Sequence, residues 1–443
     1  MLELLNTFLW GPGTLVLILG TGAWLTLRTG AFPQRHLGLA LGLSLGREAR
    51  RKGANGVSPF ASLMTALAST VGTGNIVGVA AALVSGGPGA LVWMELAALL
   101  GLALKFTECM LAVKYRRIRR DGTRWGGPMA VMEARLGFFG RVLGTLFAIS
   151  ALLMAFSMGA MAQSGALADV CAEAFALPRW QVGLVTAALS LAILLGGIRR
   201  IADASTVLVP VMALLYVGGG LAVILGNLPR LPEAAALMLR CAFAPEAALG
   251  GIFGTVTFRS ALRWGVARGI FSNEAGLGSA AITAACADTE DPVRQGLISM
   301  TGVFFDTTVI CTVTGLAICC SEVPWLAAGT AHTGAALTIR AFETVLGPWA
   351  RWLIGISLSL FAFTSVLGCA FQAETVVTCL RGPAAVRPCR VLYALAIWIG
   401  AVIPLETVLQ LADLSNALMA LPNLICLLLL SGEAAADCRS FRP

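Results

Sequence analysis

Ser69-Thr70-Val71-Gly72-Thr73-Gly74-Asn75-Ile76-Val77-Gly78 interrupts an apolar run, about Pro59 to Ser85, that is otherwise long enough to cross a bilayer as a helix. Glycine costs about 1 kcal/mol in a helix interior, and three of them with Thr and Asn between invite the helix to break. At membrane depth a break survives only where protein or a water-filled cavity takes up the freed backbone groups. Secondary transporters bind substrate and ion at such midplane breaks. The stretch alone also fits a small-residue face, Gly74-x-x-x-Gly78, for close helix approach. A dinucleotide-binding glycine loop is disfavoured, because it needs a strand before it and a soluble βαβ unit around it.

Working outward, the 443 residues are 58% hydrophobic and 12% charged, against about 25% charged in an ordinary soluble domain. The chain therefore reads as an all-α polytopic membrane protein. Its twelve Cys contain no C-x-x-C pair and fall mostly within apolar spans, so neither a disulfide framework nor a zinc site is indicated. His36 and His332 lie outside the spans, which leaves an intramembrane enzyme without a base for a nucleophile. No basic segment precedes the first apolar run, so a cleaved signal is not expected.

Apolar runs and turn residues predict eleven crossings, at about 8–27, 58–85, 89–113, 139–168, 180–197, 204–226, 259–285, 295–320, 351–379, 391–404 and 406–431. The segment from Glu233 to Thr257 reads as re-entrant or surface-lying, because Arg240 and Glu246 interrupt it. Most of the 31 Lys and Arg fall in alternate loops: 28–52, 114–141, then Arg199, Arg200, Arg294, Arg381, Arg387, Arg390, Arg439 and Arg442. This places the N-terminus outside and the C-terminus in the cytoplasm. The net charge of +8 is thereby a topology signal and no nucleic-acid partner is expected. His36 to Arg51 reads as an amphipathic helix on the inner leaflet.

Setting the first crossing aside leaves five and five, so a second half repeating the first is inserted inverted. The expected organisation is 1–57, an extra transmembrane helix with the interfacial helix; 58–226, the first repeat; 227–258, an extracytoplasmic connection; 259–431, the inverted second repeat; and 432–443, a cytoplasmic tail. The plan requires the first span of the second half to break as well. Phe271-Ser272-Asn273-Glu274-Ala275-Gly276-Leu277-Gly278 interrupts it. Half-helix N-termini offer N–H groups to an anion and freed carbonyls coordinate a cation, which together suit a zwitterion and Na⁺.

Oxygen-bearing residues near the breaks are Ser69, Thr70, Thr73, Asn75, Ser272 and Asn273, with Thr364-Ser365 a further pair; each could equally bond back to its own helix. Ionisable residues within spans are Glu95, Lys105, Glu108, Glu274, Asp306, Glu374 and Asp413. Lys105 and Glu108, three apart, read as a local ion pair. Glu274 would hold the unwound backbone or accept a coupling proton. Gln163, midway along an apolar span, would bond a neighbouring helix or a ligand.

Gly72-Thr73-Gly74-Asn75-Ile76, Gly86-Gly87-Pro88-Gly89-Ala90, Lys105-Phe106-x-Glu108, Lys114-Tyr115-Arg116, Arg268-Gly269-x-Phe271-Ser272-Asn273-Glu274-Ala275-Gly276-Leu277-Gly278-Ser279, Phe305-Asp306-Thr307 and Leu418-Met419-x-x-Pro422-Asn423 resemble the alanine or glycine:cation symporter family over about residues 10–432. The resemblance implies a LeuT-like core of inverted five-helix repeats in the cell inner (cytoplasmic) membrane, and uptake of a small neutral amino acid driven by sodium ion. It implies a substrate site at Gly72, Thr73, Gly74, Gln163, Phe271, Ser272, Asn273 and Cys369. It further implies sodium at the Ala68 and Val71 carbonyls with Thr364 and Ser365, and at Asn75 as a second position. The chain departs from the family where Cys369 replaces a Trp, a Tyr pair is missing before Glu374, and Ala160 replaces an Asn. The expectation is an enlarged pocket, which leaves a larger or different amino acid open. A proton-coupled carrier of a larger amino acid and a receptor that binds without transport are the alternatives; an occluded midplane site argues against a channel.

Overall fold

The structure, a computed structural model, describes residue 9 and residues 12–51, 57–119, 122–175, 177–243, 258–321 and 334–442. His332, Glu246 and the start of the first expected span lie outside the described residues, as does the second part of the segment from Glu233 to Thr257.

In chain order the helices are α1 (Pro12–Arg28), α2 (Leu37–Leu45), α3 (Pro59–Thr70), α4 (Val77–Gly86), α5 (Gly89–Lys114), α6 (Pro128–Met154), α7 (Gln163–Phe175), α8 (Arg179–Leu194), α9 (Gly197–Gly226) and α10 (Leu231–Phe243). There follow α11 (Phe258–Asn273), α12 (Ser279–Ala285), α13 (Pro292–Val303), α14 (Thr312–Cys320), α15 (Ala335–Leu346), α16 (Trp349–Arg381), α17 (Val386–Val402), α18 (Leu405–Leu429) and α19 (Ser431–Ser440). A π-helical segment, Ala155–Ala162, joins α6 to α7, and a second, Phe304–Cys311, joins α13 to α14. Among the described residues, seven helices are long and apolar enough to cross a membrane, or eight with the bent pair α3 and α4. Phe138, Leu214 and Trp349 are more than 70% exposed, where a water-facing helix would carry charge; in hydrocarbon such residues are at home.

The first expected break is present: α3 and α4 meet at 64°. The second expected break separates α11 from α12, through Glu274 at φ 52° and Gly276 and Gly278 at φ 85° and 82°. These left-handed values suit glycine, while Glu274 is held there against its preference. Around the breaks, α11 and α13 pack on α5, α16 on α3, and α9 on α16. Gly265 makes the packing of α11 on α5 possible and Gly89 that of α10 on α5: a Cβ on Gly265 would lie 2.3 Å from the Ala90 carbonyl oxygen, and one on Gly89 2.5 Å from the Ala242 nitrogen.

Two boundaries differ from expectation. The basic stretch 114–141 is not all loop, because Pro128 sits in the first turn of α6 and Met129 to Met132 are buried. Gly137, φ 57°, then kinks the helix before Phe138 turns outward. The interfacial helix also does more than lie on lipid. Ala40 and Ser44 of α2 are buried, and the Ser44 hydroxyl meets Thr301 Oγ1 at 3.0 Å, so α2 is pinned to α13. A two-residue antiparallel ladder pairs Arg117 with Trp125 and Ile118 with Arg124.

Candidate functional site

The first break is made by an asparagine as much as by its glycines. In an uninterrupted helix the Gly72 N–H would donate to the Ala68 carbonyl. Here it donates to Asn75 Oδ1 at 3.0 Å, so the Ala68 carbonyl loses its usual donor. Val71 ends α3 in an extended conformation, ψ 97°, and its carbonyl accepts from the Ser365 hydroxyl of α16 at 3.3 Å. Thr364, next along α16 and fully buried, donates to the Leu360 and Phe361 carbonyls of its own helix at 2.9 and 3.0 Å. The Thr364 hydroxyl also lies 3.1 Å from Met212 Sδ of α9, so of the two α16 hydroxyls it is Ser365 that meets the break directly; carbonyl and hydroxyl oxygens are the donors a hard monovalent cation prefers.

The second break repeats the device. The Phe271 carbonyl would ordinarily accept from the Ala275 N–H. That N–H donates instead to Asn273 Oδ1 at 3.0 Å. Both breaks therefore use an asparagine amide to draw off the donor that would have satisfied a helix carbonyl. At the same time the N–H groups of Thr73 and Gly74, at the head of the chain leading into α4, have no backbone acceptor among the described residues.

The two breaks are tied directly. Asn75 Nδ2 donates to Asp306 Oδ1 at 2.8 Å and to Ser272 Oγ at 3.0 Å, and Ser272 donates to Asp306 Oδ2 at 2.7 Å. Asn273 Nδ2 reaches Thr307 Oγ1 at 3.1 Å, and Thr307 donates to the same carboxylate oxygen. Asp306 and Thr307 come from the second π-helical segment, so one buried carboxylate gathers both interruptions. Asn75 turns its NH₂ group, not its oxygen, toward that carboxylate; a cation seated there would have to displace this donor.

Thr73, Gly74 and Phe271 are half-buried, unlike Asn75, Ser272 and Asn273 below them. Gly74 faces the Phe271 ring, and Thr73 Oγ1 lies 3.5 Å from Gln163 Oε1. Gln163, which begins α7 at the end of the first π-helical segment, is thereby brought to the first break. Cys369 lies one helical turn beyond Ser365 on α16. It packs on Gly159, where a Cβ would fall 2.1 Å from the Cys369 Cβ. The short side chain is taken up by close helix approach, where the sequence suggested an enlarged pocket.

Sequence reasoning undervalued three side chains. Lys105 and Glu108 are 3.7 Å apart as expected, but both reach the second break. Lys105 Nζ donates to the Glu274 carbonyl at 3.3 Å, and Glu108 Oε2 accepts from the Gly278 N–H at 3.1 Å. Asn423 of α18 donates to that same oxygen and to the Gly276 carbonyl. The Glu274 carboxylate accepts from Ser279 at the head of α12. Of its two expected roles, this geometry serves the holding of unwound backbone.

With these features in place, comparison with known proteins is decisive. The profile of the sodium:alanine symporter family matches residues 1–443. The chain belongs to that family. Among its relatives, the sodium/alanine symporter AgcS of Methanococcus maripaludis is 41% identical over all of this chain and 96% of its own. The probable sodium/glutamine symporter GlnT of Bacillus subtilis is 38% identical, covering 96% of this chain and 87% of that one. The crystal structure of MhsT in complex with L-phenylalanine superposes with a TM-score of 0.60 at 14% identity, over 87% of this chain and 93% of that one. At that identity the likeness concerns the fold, which is LeuT-like and mostly helical. Membership of the sodium:alanine symporter family makes the chain a multi-pass membrane transporter, and the enzyme reading falls away.

Proposed function

We propose that this chain imports a small neutral amino acid together with Na⁺ by alternating access across the cell inner membrane. In this reading eleven helices span the bilayer, with the N-terminus outside and the C-terminus cytoplasmic. Two inverted five-helix repeats, 58–226 and 259–431, follow one extra helix, and the two broken spans move against the rest.

The observation that carries the proposal is the pair of asparagine-drawn donors. They leave carbonyls at Ala68 and Phe271 free for positive charge, while the unaccepted N–H groups of Thr73 and Gly74 suit a carboxylate. The amino acid lies between the breaks, its carboxylate toward Gly72, Thr73 and Gly74 and its ammonium toward the Phe271 and Ser272 carbonyls, with Gln163 and Asn273 at the margins. Sodium, a co-substrate here, sits among the Ala68 and Val71 carbonyls and the Thr364 and Ser365 hydroxyls. By joining α3 to α16 it favours the arrangement that binds amino acid, so each ligand raises the affinity for the other. Asn75 serves chiefly as the clip between the breaks. Cys369 shapes the site through the packing of α16 on the first π-helical segment.

The test is uptake of labelled alanine, glycine, serine and glutamine into proteoliposomes, with and without an inward Na⁺ gradient. Glutamine is included because a relative carries that name. Accumulation of at least one of them that collapses without the gradient supports the proposal. Accumulation driven by a pH gradient alone would move the coupling to protons, and binding without counterflow would leave a receptor. Ser365→Ala removes one ion ligand. It is expected to raise the Na⁺ concentration for half-maximal uptake about tenfold, the equivalent of 1.4 kcal/mol, with the amino-acid KM at saturating Na⁺ little changed. Asn273→Ala lets the Ala275 N–H return to the Phe271 carbonyl. It should raise the amino-acid KM at saturating Na⁺, read in the same assay.

A further inference from the structure

Away from the site, a cleft of about 330 Å³ enters the protein between α3, α9 and the second π-helical segment. Leu63, Leu67 and Val71 of α3 form one wall, Val209 and Ala213 of α9 the opposite one, and Phe305 closes it. Leu214 on the rim is 74% exposed, so the cleft opens on the lipid-facing surface. Its single charged lining residue among the described residues is Arg50, whose guanidinium lies 4.8 Å from the centroid of the Phe60 ring. Arg47 and Arg51 stand exposed beside it. The nearby acid, Glu48, is already paired with Arg294. The cleft therefore joins an apolar slot of ligand-binding size to a mouth that is positively charged among the described residues.

A slot without polar groups along its length rejects an amino acid or nucleotide, which would leave its own polar atoms unpaired. It accepts an alkyl chain. An arginine at the mouth, planar and permanently charged, matches a phosphate diester, and basic residues at a membrane surface collect anionic headgroups. We infer that an anionic phospholipid occupies this cleft, its phosphate at Arg50 and one acyl chain lying along α3 as far as Val71. The chain ends against the residue whose carbonyl meets Ser365, so lipid in the slot props the last turn of α3 where the proposed ion site begins. Only this last consequence rests on the transport reading; the lipid site stands on the cleft and its charge.

The test is native mass spectrometry of the purified full-length protein, equilibrated with equal amounts of phosphatidylglycerol and phosphatidylcholine. The wild type is expected to retain phosphatidylglycerol preferentially. Arg50→Gln should lower that retention about tenfold, the scale of one lost charge-assisted contact, and Ala213→Trp should abolish binding of both lipids by filling the slot. Thermal melting followed by size exclusion checks that each variant folds; should Ala213→Trp fail to fold, Val217→Phe blocks the same slot. Equal retention of the two lipids by the wild type, or undiminished phosphatidylglycerol on Arg50→Gln, overturns the inference. Because the readout needs no transport, its failure leaves the symport proposal standing. Loss of Na⁺-driven uptake would likewise leave the lipid site standing.

Discussion

Replacing Gly72 by valine is expected to lower Na⁺-driven uptake at limiting Na⁺ at least about tenfold, a loss of roughly 1.4 kcal/mol in binding of the ion, while the protein still folds. The backbone at Gly72, φ −138° and ψ −157°, is extended and open to any residue, so the glycine is not there for its dihedral angles. It is there for space. A Cβ at this position would lie 2.9 Å from Ser365 Oγ and 3.3 Å from Gln163 Nε2. Both obstacles are tips of side chains, which can swing aside without unfolding the core. In swinging aside, Ser365 gives up the Val71 carbonyl, and the oxygen set for the ion is dispersed. Uptake at graded Na⁺, with melting temperature measured alongside, separates this from misfolding: a rightward Na⁺ dependence at nearly unchanged stability is the expected pattern. Gly368→Leu provides the contrast, because a Cβ there meets the Ser69 backbone nitrogen at 2.5 Å. Backbone cannot swing aside, so that variant should lose stability and activity together. Wild-type Na⁺ dependence in Gly72→Val would sink the proposed ion site.

The helix breaks were legible in the sequence because glycine density is a one-dimensional signal. What holds the breaks open was not. Asn75 and Asn273 were visible as polar residues, but only coordinates reveal that each diverts a backbone donor, one from a residue three positions before it and the other from two positions after it. Lys105 and Glu108 were read as a local pair because sequence displays the i,i+3 spacing and conceals a partner 170 positions away. The π-helical segments leave no compositional mark, since one extra residue per turn changes the register of side chains without changing their kind. Their effect is nonetheless specific: one delivers Gln163 to the first break and the other aims Asp306 between the two. The start of α6 was misplaced for a different reason. The basic residues from Lys114 to Arg141 carry a strong loop signal, and the first-turn residue Pro128 lies among them.

The largest stability effect is expected from Lys105→Met. Glu108 is fully enclosed; one oxygen accepts from Gly278 N–H and Asn423, while the other, Oε1, has no hydrogen-bond partner among the described residues and lies 3.7 Å from the Lys105 ammonium. Removing the lysine leaves a buried carboxylate without its countercharge, and breaking such a pair from one side costs about 3–5 kcal/mol. The same substitution removes the donor to the Glu274 carbonyl, so the loop between α11 and α12 is loosened twice. Glu108→Gln keeps an acceptor for Gly278 and Asn423 but strands the ammonium, and should destabilise to a similar degree. Combining Lys105→Met with Glu108→Gln removes both charges and retains the acceptor, so most of the loss should return. Melting temperatures of the two single variants and the double variant, in one detergent, form the cycle that isolates the coupling. A strongly non-additive result, with the double variant more stable than either single one, is expected. Uptake need not recover with stability, because the Glu274 carbonyl has still lost the Lys105 ammonium and keeps only the Leu277 N–H, at 3.3 Å. Additive losses would mean that the two charges act independently, each through its own contact with the second break.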